Sequence, residues 1–157
     1  MSGIYGMNIK MAIYGESHGK SIGVVLDGLP PGLALDEATI AAEMARRAPG
    51  QNALSTARKE SDTVEIQSGF FNGFTTGTPL CARIVNSDQH SKDYSILADK
   101  MRPGHADYAG HVRYQGFNDY RGGGHFSGRL TAPLVFAGAV AKQALAQYGI
   151  VVGSHIL

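Results

Sequence analysis

The apolar runs at the start of the chain are short. Residues 8–14 (NIKMAIY) and 22–26 (IGVVL) each read as a strand, and a tight polar loop, GESHGKS, lies between them. Leu29-Pro30-Pro31-Gly32 stops the second strand. The period then changes. Asp36 is a good helix N-cap, with Leu35 and Ile40 at the two positions of a hydrophobic staple. The helix runs through EATIAAEMARRA and stops at Ala48, because Pro49 disfavours another helical residue before it. Ile40 and Met44, spaced i,i+4, put one stripe on a core, and Arg46 and Arg47 fall in the last turn, where cations suit the helix dipole. Residues 50–58 are small and polar and read as an exposed loop. Residues 63–71 alternate and then meet Asn72-Gly73, a strong hairpin signal, with 79–85 supplying a further strand. Residues 86–103 are polar, with a short helical stretch near 94–99. Residues 102–128 are too polar for a core and read as a long surface loop or a site. A second, Ala-rich helix spans 133–148, with Pro133 in its first turn and Gly149 as its C-terminal glycine. Residues 150–157 (IVVGSHIL) begin another strand. No internal repeat or linker interrupts the chain.

Composition narrows the function classes. The 157 residues suit one domain able to bury a core without staples, and 43% are hydrophobic. Fourteen basic against 13 acidic residues give a net charge of +1, which leaves no bulk electrostatic footprint for nucleic acid or an anionic membrane. Cys81 is the one cysteine, so neither an internal disulfide nor a cysteine metal cluster can form. The N-terminus lacks the apolar core of a signal peptide, and no stretch approaches the roughly 18 apolar residues of a membrane helix, so the expected compartment is the cytosol. Glycine is the unusual number: 21 of 157, about 13% against an average near 7%.

Three polar, glycine-rich segments carry candidate chemistry. Gly15-Glu16-Ser17-His18-Gly19 fits the nucleophile-elbow pattern, and residues 15–21 fall one residue short of a phosphate-binding P-loop. Both motifs need a helix afterwards, and SIGVVLDGLPPG is a poor one. A plain turn between strands is the bland alternative, although such a turn rarely needs Glu, Ser, His and Lys together. In Arg102-Pro103-Gly104-His105-Ala106-Asp107-Tyr108 a fixed turn precedes a histidine that can move a proton or meet an anion. The same histidine also reads as a surface residue bonded to Asp107. In Asp119-Tyr120-Arg121-Gly122-Gly123-Gly124-His125 the glycines can expose N–H groups to an anion, with Arg121 and Arg129 adding bidentate contacts; the alternative is a flexible loop. The six histidines (18, 90, 105, 111, 125 and 155) show no metal-ligand spacing, so no metal is expected. From residues alone, the segments argue for a site that handles a small anion with histidines available for proton transfer.

Taken together, the strings are more specific. GESHGKSIGVVLDGLPPG resembles the first signature of the chorismate synthase family, and RPGHADY, DYRGGGHFSGR, TVEIQSGFFNGFTTGTPL and SDQHSKDYS resemble its other N-terminal blocks, in order, from about residue 6 onward. The resemblance implies an α/β (α+β) fold of the β-α-β sandwich type, of which the whole chain, 1–157, would be the N-terminal half, ending within a strand. It implies conversion of 5-enolpyruvylshikimate-3-phosphate to chorismate by 1,4-anti elimination of phosphate, dependent on reduced FMN, with NADPH a flavin reductant in some members and a homotetramer the usual assembly. It implies that His18 protonates the leaving phosphate and that His105 stands beside the flavin. Ser17 and Arg47 match substrate-site positions, with Arg46 adjacent and Arg129 a further anion contact; Arg47, His105, His125, Phe126 and Ser127 fall where FMN is held. The chain departs from the family where many members have Arg-Ser-Ser in place of His125-Phe126-Ser127, and at Leu130, Leu134 and Ala53, where charged residues are usual. The rival readings are a non-catalytic anion- or flavin-binding module and a P-loop nucleotide binder.

Overall fold

The computed structural model describes residues 3–49, 61–87, 94 and 99–155. Both early strands form, as β2 (Lys10–Gly15) and β3 (Ser21–Asp27), and β1 (Ile4–Tyr5) pairs with β2 ahead of them. With β4 (Val64–Ser68) and β7 (Leu80–Val85) they make a five-stranded antiparallel sheet in the order β1-β2-β3-β7-β4. Register decides which side chains go inside. Ile22 pairs with Ile84, Val24 with Ala82 and Leu26 with Leu80, so alternate residues of β3 and β7 form one buried face.

Two helices cover that face. The first, α1 (Glu37–Arg47), starts where expected: Asp36 accepts from the backbone N–H of Ala38 at 3.0 Å and of Thr39 at 3.2 Å. Ile40 and Met44 point inward, and Leu35 is buried beside them. The long Ala-rich helix, α3 (Thr131–Ala146), packs against α1 and β3 with Ala132, Phe136, Ala139 and Val140 buried. Its small residues let it approach closely. Gln143 of α3 accepts from Asp36 N–H at 2.7 Å and donates to Asp36 O at 3.2 Å, tying the start of α1 to the last turn of α3.

The run 63–71 does not stay one strand. A register shift falls between Ile66 and Ser68, Ser68 still pairs with Cys81 of β7, and the chain then turns out into a separate hairpin of β5 (Phe70–Phe71) and β6 (Phe74–Thr75). Asn72 (φ 49°) and Gly73 (φ 84°) supply the two positive φ values that the two-residue turn requires. The polar stretch 102–128 is organised rather than loose: it holds α2 (Asp107–Arg113) and the 3-10 segments Arg121–Phe126 and Gly128–Leu130.

One expectation fails. Residues 150–155 form no strand, and Ile150, Val151 and Val152 are exposed. An apolar run becomes a strand only against a free sheet edge, and these residues have no such partner among the described ones. The loop 50–58 and most of the helical stretch near 94–99 lie outside the described residues; Tyr94 is in a 3-10 turn.

Phe136 is the largest fully buried side chain and joins α3 to the sheet. Phe136→Ala should destabilise the fold by about 3–5 kcal/mol. Urea unfolding followed by circular dichroism checks this, and a loss under about 1 kcal/mol would mean that α3 does not seal the core.

Candidate functional site

The β2–β3 loop turns tightly, with Gly19 N–H donating to Glu16 O at 3.0 Å. Because β3 follows it directly, the loop is neither a nucleophile elbow nor a P-loop, each of which needs a helix there. Ser17 and His18 are buried despite lying in a loop, and two neighbours account for it. Asn86, just past β7, donates its side-chain N–H groups to Glu16 O at 3.0 Å and Gly19 O at 2.8 Å, while its backbone N–H reaches Lys20 O at 3.2 Å. From the other side, Ser17 N–H donates to Gly124 O at 3.0 Å. The His18 ring meets Tyr94 edge-on at 4.7 Å between centroids.

The three consecutive glycines are the hub. Gly122 and Gly123 have φ of 56° and 84°, and Gly124 has φ 55° with ψ −128°, a combination open essentially to glycine alone. A Cβ on Gly122 would strike the His18 ring, and one on Gly123 would come within 2.8 Å of His105 Nε2. The two histidines therefore lie against neighbouring peptides of one bare backbone run, although they are 87 positions apart (105 minus 18). Absence of side chains at 122 and 123 makes room for both rings.

His105 is oriented by a carboxylate. Its Nδ1 lies 2.6 Å from Asp107 Oδ1, and Asp107 is in turn gripped by the Arg102 fork, Nε to Oδ2 at 2.8 Å and Nη2 to Oδ1 at 3.0 Å. The Arg102 hydrogen bonds hold the Asp107 carboxyl far below the usual carboxylate range, against the opposing effect of burial. Asp107, kept ionised, stands as an anion beside Nδ1, and Nε2 lies on the side of Gly123. The sequence already allowed for the Asp107 contact but gave no sign of Arg102 behind it.

A second carboxylate cluster braces the loop. Burial, then the Asp119 carboxyl, pushes Glu16 up. Burial alone would raise Asp119 too, but Arg121 outweighs it, with Nε to Oδ1 at 2.9 Å and Nη2 to Oδ2 at 2.6 Å, and holds it low. Glu16 is thus the member of the pair pushed toward its neutral form, and its contact with Asp119 ties the histidine loop to the glycine run.

The remaining candidates divide. Arg47 reaches from the end of α1 to Asp62, with its side chain 20% exposed. Arg129 is buried, 3% exposed, and occupied by Asp62 Oδ1 and by Asn86 Oδ1 at 3.2 Å, so it stands behind the site rather than at its surface. Arg46 turns away to Glu43 at 2.5 Å and is 75% exposed. The members of the triplet 125–127 are each engaged locally. His125 Nδ1 donates to Gly15 O at 2.8 Å, Phe126 packs against α2 at Gly110, and Ser127 Oγ accepts from Arg129 N–H at 3.3 Å. Asp62 and Asn86 were not among the residues the sequence picked out; neither lies in a periodic run or a glycine-rich motif. Among the described residues no group of three or more His, Cys, Asp or Glu side chains could hold a metal ion, and no helix is long and apolar enough to cross a membrane.

A model of the family described as chorismate synthase matches residues 9–157. The chain belongs to the chorismate synthase family. It is 50% identical over 156 residues to a chorismate synthase of Cytophaga hutchinsonii, covering 99% of this chain and 43% of that one. A chorismate synthase of Bordetella petrii is 57% identical over 135 residues, 86% of this chain and 38% of the relative, and one of Pyrococcus abyssi is 49% identical over 151, 96% and 42%. A crystal structure of a chorismate synthase superposes with a TM-score of 0.62 at 30% identity, covering 91% of this chain and 36% of that one. The mixed α/β architecture agrees with that structure. The chain thus spans about two fifths of the length of the chorismate synthases it matches.

The Asp107 pair has a testable acid limb. A carboxyl held low in the folded chain adds stability that is fully present above its unfolded value of 3.8 and is lost as pH falls through and below it. Urea midpoints of the wild type should therefore fall more steeply between about pH 5 and about pH 3 than those of Asp107→Asn. Parallel slopes would show that Arg102 does not stabilise the ionised form.

Proposed function

We propose that this chain carries the histidine-bearing part of a chorismate synthase site, which eliminates phosphate and a ring proton from 5-enolpyruvylshikimate-3-phosphate to give chorismate. The observation that carries the reading is the placement of His18 and His105 on adjacent peptides of the Gly122–Gly124 run. The substrate bears a phosphate and two carboxylates, so its site needs guanidinium and oriented N–H donors. Arg47 supplies a half-open guanidinium. His18, with Ser17 beside it, is the proton donor to the departing phosphate oxygen, since a phosphate leaves more readily as its bridging oxygen gains a proton. His105, with the Asp107 carboxylate beside its Nδ1, presents Nε2 as the group that holds or passes a proton next to the ring system.

The residues present fit a reduced FMN: two imidazoles, the Arg102 guanidinium and the Ser17 hydroxyl border a backbone run without side chains, which suits a flat, anionic, phosphate-bearing ring. His105, Arg47 and the backbone and side chains of 125–127 would hold it. When bound it supplies transient electron density to the elimination and is left unchanged by the turnover. The reading extends to NADPH as a flavin reductant, a homotetramer and a cytosolic setting.

The test splices residues 1–157 to the remaining length of the Cytophaga hutchinsonii relative and asks whether the product restores growth without aromatic amino acids to a bacterium lacking chorismate synthase. Growth is expected. His18→Ala and His105→Ala should each cut kcat/KM of the spliced enzyme by about 10²- to 10⁴-fold. A folded spliced enzyme that neither complements nor turns over substrate would sink the reading, and near-wild-type turnover in both variants would sink the roles.

A further inference from the structure

Asp62 takes no part in the steps above, yet it is the most constrained charged residue among the described ones. Its side chain has no exposed surface. Its backbone has φ of 51°, a left-handed conformation seldom adopted by residues with a Cβ. Its two carboxylate oxygens serve different elements: Oδ2 accepts from Arg47 Nη1 at the end of α1, and Oδ1 accepts from Arg129 Nη1 just before α3. Packing does not explain this position. The segment Ser61–Val64 borders a pocket of about 290 Å³ shared with Ile40, Met44 and Phe136, so apolar contact between α1 and β4 is incomplete there. The ion pairs carry the join.

The contacts form a directed series. Asn86 Oδ1 fixes Arg129 Nε at 3.2 Å, Arg129 fixes Asp62, and Asp62 fixes Arg47. Asn86, Arg129 and Asp62 are all buried while Arg47 is 20% exposed, so only its last member opens outward. We propose that Asp62 is a positioning residue: held from behind by Arg129, its carboxylate aims the Arg47 guanidinium at a phosphate-type oxyanion. A guanidinium has five N–H donors in a rigid fork. Fixing one edge on a carboxylate orients the rest at a smaller entropic cost than a free side chain would meet on binding. Two arginines against one carboxylate also leave a net positive charge to attract the anion. The inference rests on the assignment of Arg47 to an anion in the proposed function.

The experiment uses the 157-residue chain and inorganic phosphate, with binding measured by calorimetry and the Arg47 Nε–H signal followed by NMR. Asp62→Asn leaves the Arg129 charge buried without its counter-ion and can fail to fold, so Asp62→Asn/Arg129→Met is made alongside it, removing both members of the buried pair. Wild type should bind phosphate saturably in the millimolar range with a sharp Arg47 signal, and Arg47→Ala should abolish binding. Each folded Asp62 variant should bind about tenfold or more weakly, with the Arg47 signal broadened. The double variant should regain thermal stability without regaining phosphate affinity, which a purely structural role for Asp62 would not produce.

Equal or tighter phosphate binding in a folded Asp62 variant overturns the inference. So does a double variant that cannot fold, since Asp62 would then be structural, and so does a wild-type chain that binds no phosphate. Unchanged binding in Arg47→Ala would instead remove Arg47 from the anion site, and the inference with it. The complementation experiment stands apart from all of these outcomes, so the proposed function can survive the failure of this inference.

Discussion

The side-chain amide of Asn86 joins the two halves of the site. It leaves β7 where the sheet ends, donates to Glu16 O and Gly19 O, and accepts from Arg129 Nε. An amide has two donors and a carbonyl oxygen in one plane, so a single residue can hold a loop with one end and a cation with the other. The loop it holds carries Ser17 and His18; the cation begins the series that ends at Arg47. Without this residue, the histidine and the arginine would be placed independently, and their spacing would drift with the loop. Neither aspartate nor alanine could replace it: the first has no N–H to give the carbonyls, and the second leaves buried polar groups unpaired.

Charge is arranged around that joint as carboxylates gripped by arginines. Asp107 with Arg102, Asp119 with Arg121, and Asp62 with Arg47 and Arg129 each satisfy a buried or half-buried carboxylate. Such pairs contribute little net stability, because removing two charges from water offsets much of their attraction. Their effect is geometric. A fork on a carboxylate fixes distance and plane together; the Asp107 and Asp119 pairs brace groups at the glycine run, and the Asp62 pair fixes Arg47 at the end of α1. Glu16 fits the same arrangement as the one carboxyl of this group pushed toward its neutral form, because its neighbour Asp119 is kept ionised by Arg121.

Local signals in the sequence were reliable where the structure is local. Asp36 caps α1, Asn72-Gly73 makes the hairpin, and the three glycine-rich segments that carry candidate chemistry meet at the site. His18 and His105 stood out because polar side chains clustered around tight turns have few structural uses. Asp62 and Asn86 did not stand out, and the reason is physical. Their partner Arg129 lies 67 and 43 residues away along the chain, and no window of sequence records such a contact. The same limit explains Arg129 and the triplet 125–127. Residue type suggests ligand contacts there, and only the three-dimensional structure adds that Arg129 also meets Asp62 and Asn86 and that His125 also meets Gly15. The run 150–155 shows the converse error: apolar character favours a strand, but only a partner edge makes one.

The glycine run explains why two histidines from distant parts of the chain can act at one place. Consecutive Cα atoms are about 3.8 Å apart across a peptide bond. Rings packed on Gly122 and Gly123 are thus spaced by one link of a covalent chain rather than by the meeting of two flexible loops. That spacing holds only while both residues lack a Cβ and keep positive φ, and the hydrogen bond from Ser17 N–H to Gly124 O holds the run against the loop it serves. The site is therefore preorganised by backbone, with side chains supplying chemistry and orientation. The glycine excess visible in the composition is, at these positions, the condition for placing two imidazoles side by side.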